Sequence, residues 1–204
     1  MKHFHYPIIT LLLLCLWNQP IHAQSRDYSS DYIITLEGDT LFGEVKDRKE
    51  GSFPELYSRI RFWEAGKRSK KKFSPNDILA YANENQLYES LPLKDETAFF
   101  VFRYYFDEGA ESVFLKVAAR NQYLTYYQWE YMDSESSYID YIPLFYKNGA
   151  SDMVRVTQGM LGLKRKQLSE YFADCPTLVY ALEKKWLTEI MQVYDFYWER
   201  CKDQ

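Results

Sequence analysis

The side chains most often used in catalysis are unevenly distributed along this chain. All three histidines (His3, His5 and His22) fall within residues 1–23, which we expect to be removed on export. A chain without imidazole cannot build a Ser-His-Asp or Cys-His nucleophilic site, or a His-ligated zinc site. The sequence therefore predicts no catalytic residue, no metal site and no cofactor, and favours a protein without enzymatic activity.

Carboxylates offer the main route to histidine-free chemistry. A pair of carboxyl groups about 5–9 Å apart can hydrolyse a glycosidic bond, and clustered carboxylates can instead bind Ca²⁺. Neither acidic group in this chain has the spacing of an EF-hand loop, and acids in loops are usually solvated. The two groups are Asp107, Glu108 and Glu111, and Asp133, Glu135 and Asp140.

A row of aromatic residues is the strongest candidate for recognition. Tyr123, Tyr127, Trp129 and Tyr131 alternate with other residues, so in a strand they share one face. If exposed, the row would form a platform for a glycan or a partner protein, since Tyr and Trp combine large contact area with a polar tip. If buried, the row is core, which is the commoner fate of aromatic side chains.

A basic run, Lys67, Arg68, Lys70, Lys71 and Lys72, stands out in an otherwise acidic chain. The run could contact anionic lipid, phosphates or an acidic partner, or it could be a solvated hairpin that prevents edge pairing. Loss of Lys2 with the N-terminal segment leaves 24 basic against 29 acidic residues, a net charge of −5. This balance argues against nucleic-acid binding.

Residues 1–23 have the pattern of a signal peptide. An apolar stretch over residues 8–17 is too short to span a bilayer, and Ala23 suits cleavage. No later segment is apolar enough for a transmembrane helix, so we expect an exported protein of the periplasm, the outer-membrane surface or the extracellular space. The cysteines beyond the cleavage site, Cys175 and Cys201, are predicted to form one disulfide in that oxidising compartment. The alternative is a buried free Cys175 and an exposed Cys201.

The remaining chain predicts a flexible leader over residues 24–30 and a single α+β domain over residues 31–204. Turn signals every 8–12 residues across 31–157 indicate an antiparallel β meander, either a curved sheet or a partly open barrel. Among its elements we expect a two-residue hairpin at Gly38-Asp39 and one continuous central strand over 98–106. From residue 163 to 203 the apolar period becomes helical, which predicts two or three C-terminal helices packed on one face of the sheet.

Three short motifs resemble a group of secreted, uncharacterised proteins of Bacteroidota. These motifs are the strand-turn-strand from Tyr32 to Gly43 with its Gly-Asp-Thr turn, the Pro-x-Asp-Ile turn at Pro75, and the Asp-Cys-Pro at Cys175 with the terminal Cys201. The resemblance implies an exported envelope protein and assigns no catalytic residues.

Together these observations predict a non-enzymatic envelope module that binds a partner protein or a glycan. Two alternatives stay open: a carboxylate-dependent polysaccharide hydrolase and a purely structural envelope component.

Overall fold

The computed structural model describes residues 31–98, 101–133 and 138–201 of the 204-residue chain. The predicted signal peptide and leader lie outside the described residues. The described chain is mostly antiparallel β-structure followed by three helices, so the predicted α+β class is confirmed. The strands are β1 (Tyr32–Thr35), β2 (Thr40–Lys49), β3 (Glu55–Glu64), β4 (Lys70–Phe73), β5 (Ile78–Asn83), β6 (Gln86–Ala98), β7 (Val101–Phe106), β8 (Ser112–Arg120), β9 (Leu124–Met132), β10 (Ile139–Lys147) and β11 (Asp152–Arg155).

Six strands form a closed barrel in the order β6-β7-β11-β10-β9-β8, with β8 pairing back to β6. The interior is filled by alternate side chains from each strand, as the period of two along a strand requires. Leu115 and Leu144 are fully buried there, and Tyr104 and Tyr127 are almost fully buried. The barrel interior is thus a packed core. The sequence predicted either a curved sheet or a partly open barrel, and the structure shows a closed one.

The first five strands extend the sheet in the order β4-β3-β2-β1-β5, and β5 pairs with β6. We call these five strands the N-terminal extension. Strand β6 belongs to both parts, because residues 86–89 pair with β5, residues 88–92 with β8 and residues 93–98 with β7. The extension has its own core, in which Ile33, Ile60, Phe62 and Ile78 are buried together.

Three helices cover the outer face of the barrel beside β9, β10 and β11. They are α1 (Arg165–Tyr171), α2 (Pro176–Glu183) and α3 (Ile190–Arg200). Leu168, Leu178 and Val193, one from each helix, are fully buried against the barrel residues Leu124 and Phe145. No helix in the described ranges has the length and apolar character needed to cross a bilayer.

The predicted disulfide is confirmed. Cys175 and Cys201 are bonded, with Cα atoms 5.5 Å apart. Cys175 immediately precedes α2 and Cys201 immediately follows α3, so the bond ties the start of one helix to the end of the next. Pro176 occupies the first turn of α2, where its missing N–H costs no hydrogen bond.

Two local predictions were wrong. The continuous strand expected over 98–106 is divided between β6 and β7, which pair with each other at Ala98 and Val101. The run carries no glycine or proline turn signal, so its apolar pattern concealed the chain reversal. The first hairpin has a four-residue connection over 36–39, with Gly38 at φ +90°. The glycine therefore supplies the left-handed conformation, but within a longer loop.

Candidate functional site

The N-terminal extension and the barrel meet at a cleft of about 490 Å³. We call it the junction cleft. Its volume lies within the range of about 300–1,000 Å³ that is common for small-molecule sites. Its walls come from β3 on one side and from β8 and β9 on the other. The lining residues are Asp47, Leu56, Tyr57, Ser58, Pro75, Tyr81, Tyr88, Glu111, Ser112, Val113, Phe114, Trp129, Glu130, Tyr131 and Met132.

A register irregularity between β2 and β3 creates the floor of the cleft. Lys46 pairs with Arg61, and the next pair is Arg48 with Leu56. One residue of β2, Asp47, therefore lies opposite four positions of β3, residues 57–60, that do not pair with β2. Consecutive side chains of a regular strand point to opposite faces. Here Asp47 and Arg48 are consecutive and yet bonded to each other side by side. The irregularity thus brings a carboxylate and a guanidinium together at one point.

Asp47 is only 3% exposed and is fully hydrogen-bonded. Its Oδ1 accepts from Arg48 Nε at 3.0 Å and from Asn83 Nδ2 at 3.0 Å, and its Oδ2 accepts from Arg48 Nη2 at 2.9 Å and from Tyr81 Oη at 3.0 Å. A buried carboxylate is tolerated only when it is paired and hydrogen-bonded in this way. Asp47 is therefore a rigid anchor for the groups around it.

Arg48 links the extension to the barrel. Its Nη2 donates to Glu130 Oε2 on β9 at 2.7 Å and to the Tyr88 hydroxyl on β6 at 2.7 Å. Burial alone would lower the pKa of Arg48, but the hydrogen bonds to Asp47 and Glu130 raise it above its ordinary value. Lys116 Nζ lies 3.9 Å from Glu130 Oε1, so two cations and two carboxylates form one neutral group. We call these four residues the ion cluster.

Stacked aromatic rings support the ion cluster from below. Tyr81 and Tyr88 lie parallel with ring centres 4.6 Å apart, and Phe114 meets Tyr81 edge-on at 4.9 Å. Burial raises the pKa of both tyrosines above the ordinary value of 10.0. Both hydroxyls therefore stay protonated at neutral pH and act as hydrogen-bond donors.

The composition of the lining determines what the cleft can bind. Six lining residues are aromatic, three are acidic (Asp47, Glu111 and Glu130) and none is basic. Arg48 and Lys116 contact Glu130 but are not among the lining residues. Asp47 and Glu130 are already engaged in the ion cluster, so Glu111 is the lining carboxylate that remains to accept from a ligand. Aromatic faces beside this carboxylate suit a ligand that has apolar faces and hydroxyl donors, and they disfavour an anion.

The predicted aromatic row is divided between two environments. Tyr127 is 2% exposed inside the barrel, and Tyr123 packs against Trp198 of α3. Trp129 packs edge-on against buried Tyr104 and also borders the cleft. Tyr131, at the cleft, is 39% exposed. The row is thus not one open platform, and its Trp129–Tyr131 end is the part that meets the candidate site.

The basic run lies away from the junction cleft. Lys67 and Arg68 are in the turn after β3, and all five residues of the run are exposed. Lys70, Lys71 and Lys72 belong to β4, the outermost strand of the extension. Lysines on an edge strand discourage pairing with another chain, so this placement agrees with the edge-protection interpretation.

The acidic loops show no metal-binding arrangement where the structure describes them. Asp107 caps its own turn by accepting the Gly109 N–H at 2.9 Å, and Asp140 accepts from the Tyr131 hydroxyl at 3.1 Å. Glu135 lies outside the described residues. Across residues 31–98, 101–133 and 138–201, no group of three or more His, Cys, Asp or Glu side chains could hold a metal ion.

The sequence did not predict that Asp47, Arg48 and Glu130 would meet at the cleft. Asp47 and Arg48 occur in a charged stretch, Glu44 to Glu50, that reads as an ordinary solvated strand end. Their burial depends on the irregular pairing with β3 and on Glu130, which is 82 positions away from Arg48. Glu111 was identified within an acidic cluster, and the structure places it at the cleft rather than at a metal site.

Comparison with known proteins adds no further assignment: no family model, no curated protein and no solved structure matches this chain. The resemblance to secreted Bacteroidota proteins therefore stays a prediction.

Proposed function

We propose that this protein is an exported envelope module without enzymatic activity that binds a glycan in the junction cleft. Export is supported by the signal-peptide pattern, by the motif resemblance and by a disulfide of the kind that persists in oxidising compartments. The observation that carries the binding proposal is the lining of the cleft, which combines aromatic rings with carboxylates on a floor fixed by the ion cluster.

Sugar rings match this lining. Their C–H faces pack on aromatic rings, and their hydroxyls donate to carboxylate oxygens. Tyr131 and Glu111, both exposed, are placed to make these contacts at the mouth of the cleft. The floor contributes rigidity, because Asp47 is held by four hydrogen bonds and loses little freedom when a ligand binds.

The geometry of the floor favours binding over hydrolysis. A glycosidase needs two carboxyl groups that face each other across the scissile bond. Arg48 Nη2 lies within 2.9 Å of Asp47 Oδ2 and 2.7 Å of Glu130 Oε2. The guanidinium therefore occupies the place between these two carboxylates that a substrate oxygen or a water would need.

A glycan array probed with protein purified after export tests the proposal. We expect one class of neutral oligosaccharide to bind, and we expect Tyr131→Ala with Glu111→Gln to weaken that binding at least about tenfold, since each lost contact contributes about 1 kcal/mol. Both residues are exposed, so the double variant should fold. The matched control makes the same two substitutions on α2, Tyr180→Ala with Glu183→Gln, at exposed positions away from the cleft.

Each other outcome points elsewhere. Release of shorter sugars from the bound glycan would contradict the non-enzymatic assignment and support the hydrolase. Capture of an envelope protein that competes at the cleft, without any glycan signal, would replace the glycan by a partner protein. Equal loss of binding in the cleft variant and the α2 control would remove the junction cleft as the site.

A further inference from the structure

The extension carries a second surface whose composition contrasts with the junction cleft. Strands β2, β3 and β4 pack one face against the extension core, through buried Val45, Phe62 and Ile60 and through partly buried Phe73 of β4. Side chains at the alternate positions lie on the other face. We call this other face the cationic face; its residues are Phe42, Glu44, Lys46, Arg61, Trp63, Lys70 and Lys72.

Three cations stand directly opposite one another on this face. The register pairs Lys46 with Arg61 and Arg61 with Lys72, across three adjacent strands. Strands are about 4.8 Å apart, so the three positions span roughly 10 Å, and each neighbouring pair of positions lies within the Debye length of about 8 Å at physiological salt. Like charges directly opposite each other destabilise a sheet. This cost is hard to explain by edge protection, for which the lysines of β4 alone would suffice.

Aromatic side chains lie beside the cations. On the next rung Trp63 pairs with Lys70, whose Nζ lies 5.8 Å from the ring centre. Phe42, farther along β2, is 52% exposed and contacts the ring of Tyr32 at 6.1 Å. Glu44 is the one carboxylate among the seven residues of the face. The seven residues therefore carry four cations against one carboxylate, beside the rings of Trp63 and Phe42, so the face has an excess of positive charge and is partly apolar.

We propose that the cationic face docks on the surface of a lipid bilayer through its anionic headgroup phosphates. Charge complementarity argues for phosphates, because each cation near an anionic membrane surface contributes to binding. The aromatic rings argue for a bilayer rather than a dissolved acidic polymer, because aromatic side chains favour the interface between headgroups and acyl chains. No residue of the cationic face lines the junction cleft, although the Arg61 guanidinium lies 4.0 Å from the ring centre of the cleft residue Tyr57. The proposal differs from the glycan proposal in its ligand and in its measurement, so either can fail without the other.

Sedimentation with vesicles tests the proposal. The exported, processed protein is mixed with vesicles of phosphatidylcholine alone, or with vesicles in which about a third of the lipid is the anionic phosphatidylglycerol. We expect binding to the anionic vesicles only, and we expect that binding to fall steeply as the salt concentration rises. The double variant that carries both Arg61→Gln and Lys72→Gln should have a partition coefficient about 30-fold lower than that of the native protein, at about fivefold for each cation removed.

A matched control separates this face from net charge. Lys166→Gln with Arg200→Gln removes two exposed cations from the helices, and we expect it to change vesicle binding less than about threefold. Equal losses in the two double variants would overturn the proposal. The proposal also fails if the native protein does not bind anionic vesicles. Binding of soluble polyphosphate through Arg61 and Lys72 in that case would identify a dissolved anion as the ligand.

A stability measurement guards against misfolding of the variant. The substitutions relieve repulsion between opposed cations, but Arg61→Gln also removes the contact of the guanidinium with the Tyr57 ring, whose centre is 4.0 Å away. Because these effects oppose each other, we expect the cationic-face variant to melt close to the temperature of the native protein at low salt. If the cationic-face variant both melts at a lower temperature and loses vesicle binding, the loss has two explanations, and Phe42→Ser is tested in its place. Phe42→Ser keeps every cation and removes an exposed ring. If the docking proposal holds, Phe42→Ser weakens binding to vesicles and leaves binding to soluble polyphosphate unchanged.

Discussion

Arg48 contacts both structural parts of the molecule. Its Nη2 donates charge-assisted hydrogen bonds to Asp47 Oδ2 of the extension, at 2.9 Å, and to Glu130 Oε2 of the barrel, at 2.7 Å. A buried ion pair adds little net stability compared with apolar residues, but the removal of one partner leaves an unpaired buried charge. The cluster is therefore better suited to fixing the relative position of the two cleft walls than to raising overall stability.

Glu89 performs a similar task where the barrel closes. It lies on β6 and accepts from Arg120 Nη1 of β8 at 2.8 Å and from the Tyr127 hydroxyl of β9. Burial would raise its pKa, but the hydrogen bonds from Arg120 and Tyr127 outweigh burial, so the pKa of Glu89 is lowered from the ordinary 4.5. Three neighbouring strands are thus joined at the β6–β8 closure.

This lowered pKa predicts a specific acid sensitivity. A carboxylate whose folded-state pKa is depressed stabilises the fold fully above its unfolded-state pKa, and that contribution disappears as the pH falls through the folded-state pKa. We therefore expect Glu89→Gln to lower the free energy of unfolding at pH 7, and the difference from the native protein to shrink below pH 4.5. Urea unfolding between pH 3 and pH 7 measures the difference. A gap that is constant over this range would contradict the assigned role of the Glu89 charge.

At the scale of elements, the pairing of β2 with β3 depends on Gly43. A Cβ at this position would overlap the Trp63 carbonyl oxygen and would lie 2.7 Å from a ring carbon of Phe62. The Trp63 carbonyl belongs to the paired backbone of β3 and cannot move aside as the end of a flexible side chain can. We therefore expect Gly43→Ala to lower the free energy of unfolding by about 3 kcal/mol. Chemical denaturation measures the loss. The control is Gly109→Ala in an exposed turn, where the nearest atom is a side-chain oxygen at 3.3 Å; similar losses in both variants would contradict the steric argument.

The elements that could be predicted from sequence are those with strong local signals. The hairpin of β9 and β10 and the three helices follow from alternation, helical period and Pro176, and the structure has them within a few residues of their predicted bounds. The split of the 98–106 strand could not be predicted, because the nearly continuous apolar run extends through a reversal that lacks turn residues. The cleft could not be predicted either, because it depends on pairing between β2 and β3 and on contacts of both with β9, which are distant in sequence.

At the scale of the whole molecule, two packing regions share one strand. The extension core and the barrel interior lie against β6, and the helical layer packs on the opposite side of the barrel through Phe145 and Leu124. The helices contribute much of the largest buried cluster, so their attachment matters for the barrel as well as for themselves. The bond between Cys175 and Cys201 is the covalent part of that attachment, and Cys175 lies within this cluster.

Reduction of the disulfide should therefore weaken the whole domain. The bond closes a loop with a sequence separation of 26, and the chain-entropy model gives a loss of about 3.5 kcal/mol when such a loop opens. We expect the urea midpoint to fall on reduction and the transition to stay single, because the helices and the barrel strands share one core. The control is Cys175→Ala with Cys201→Ala, whose midpoint should be low and insensitive to reductant. If reduction instead releases the helices in a separate early transition, the helical layer is an independent unit and the barrel is stable without it.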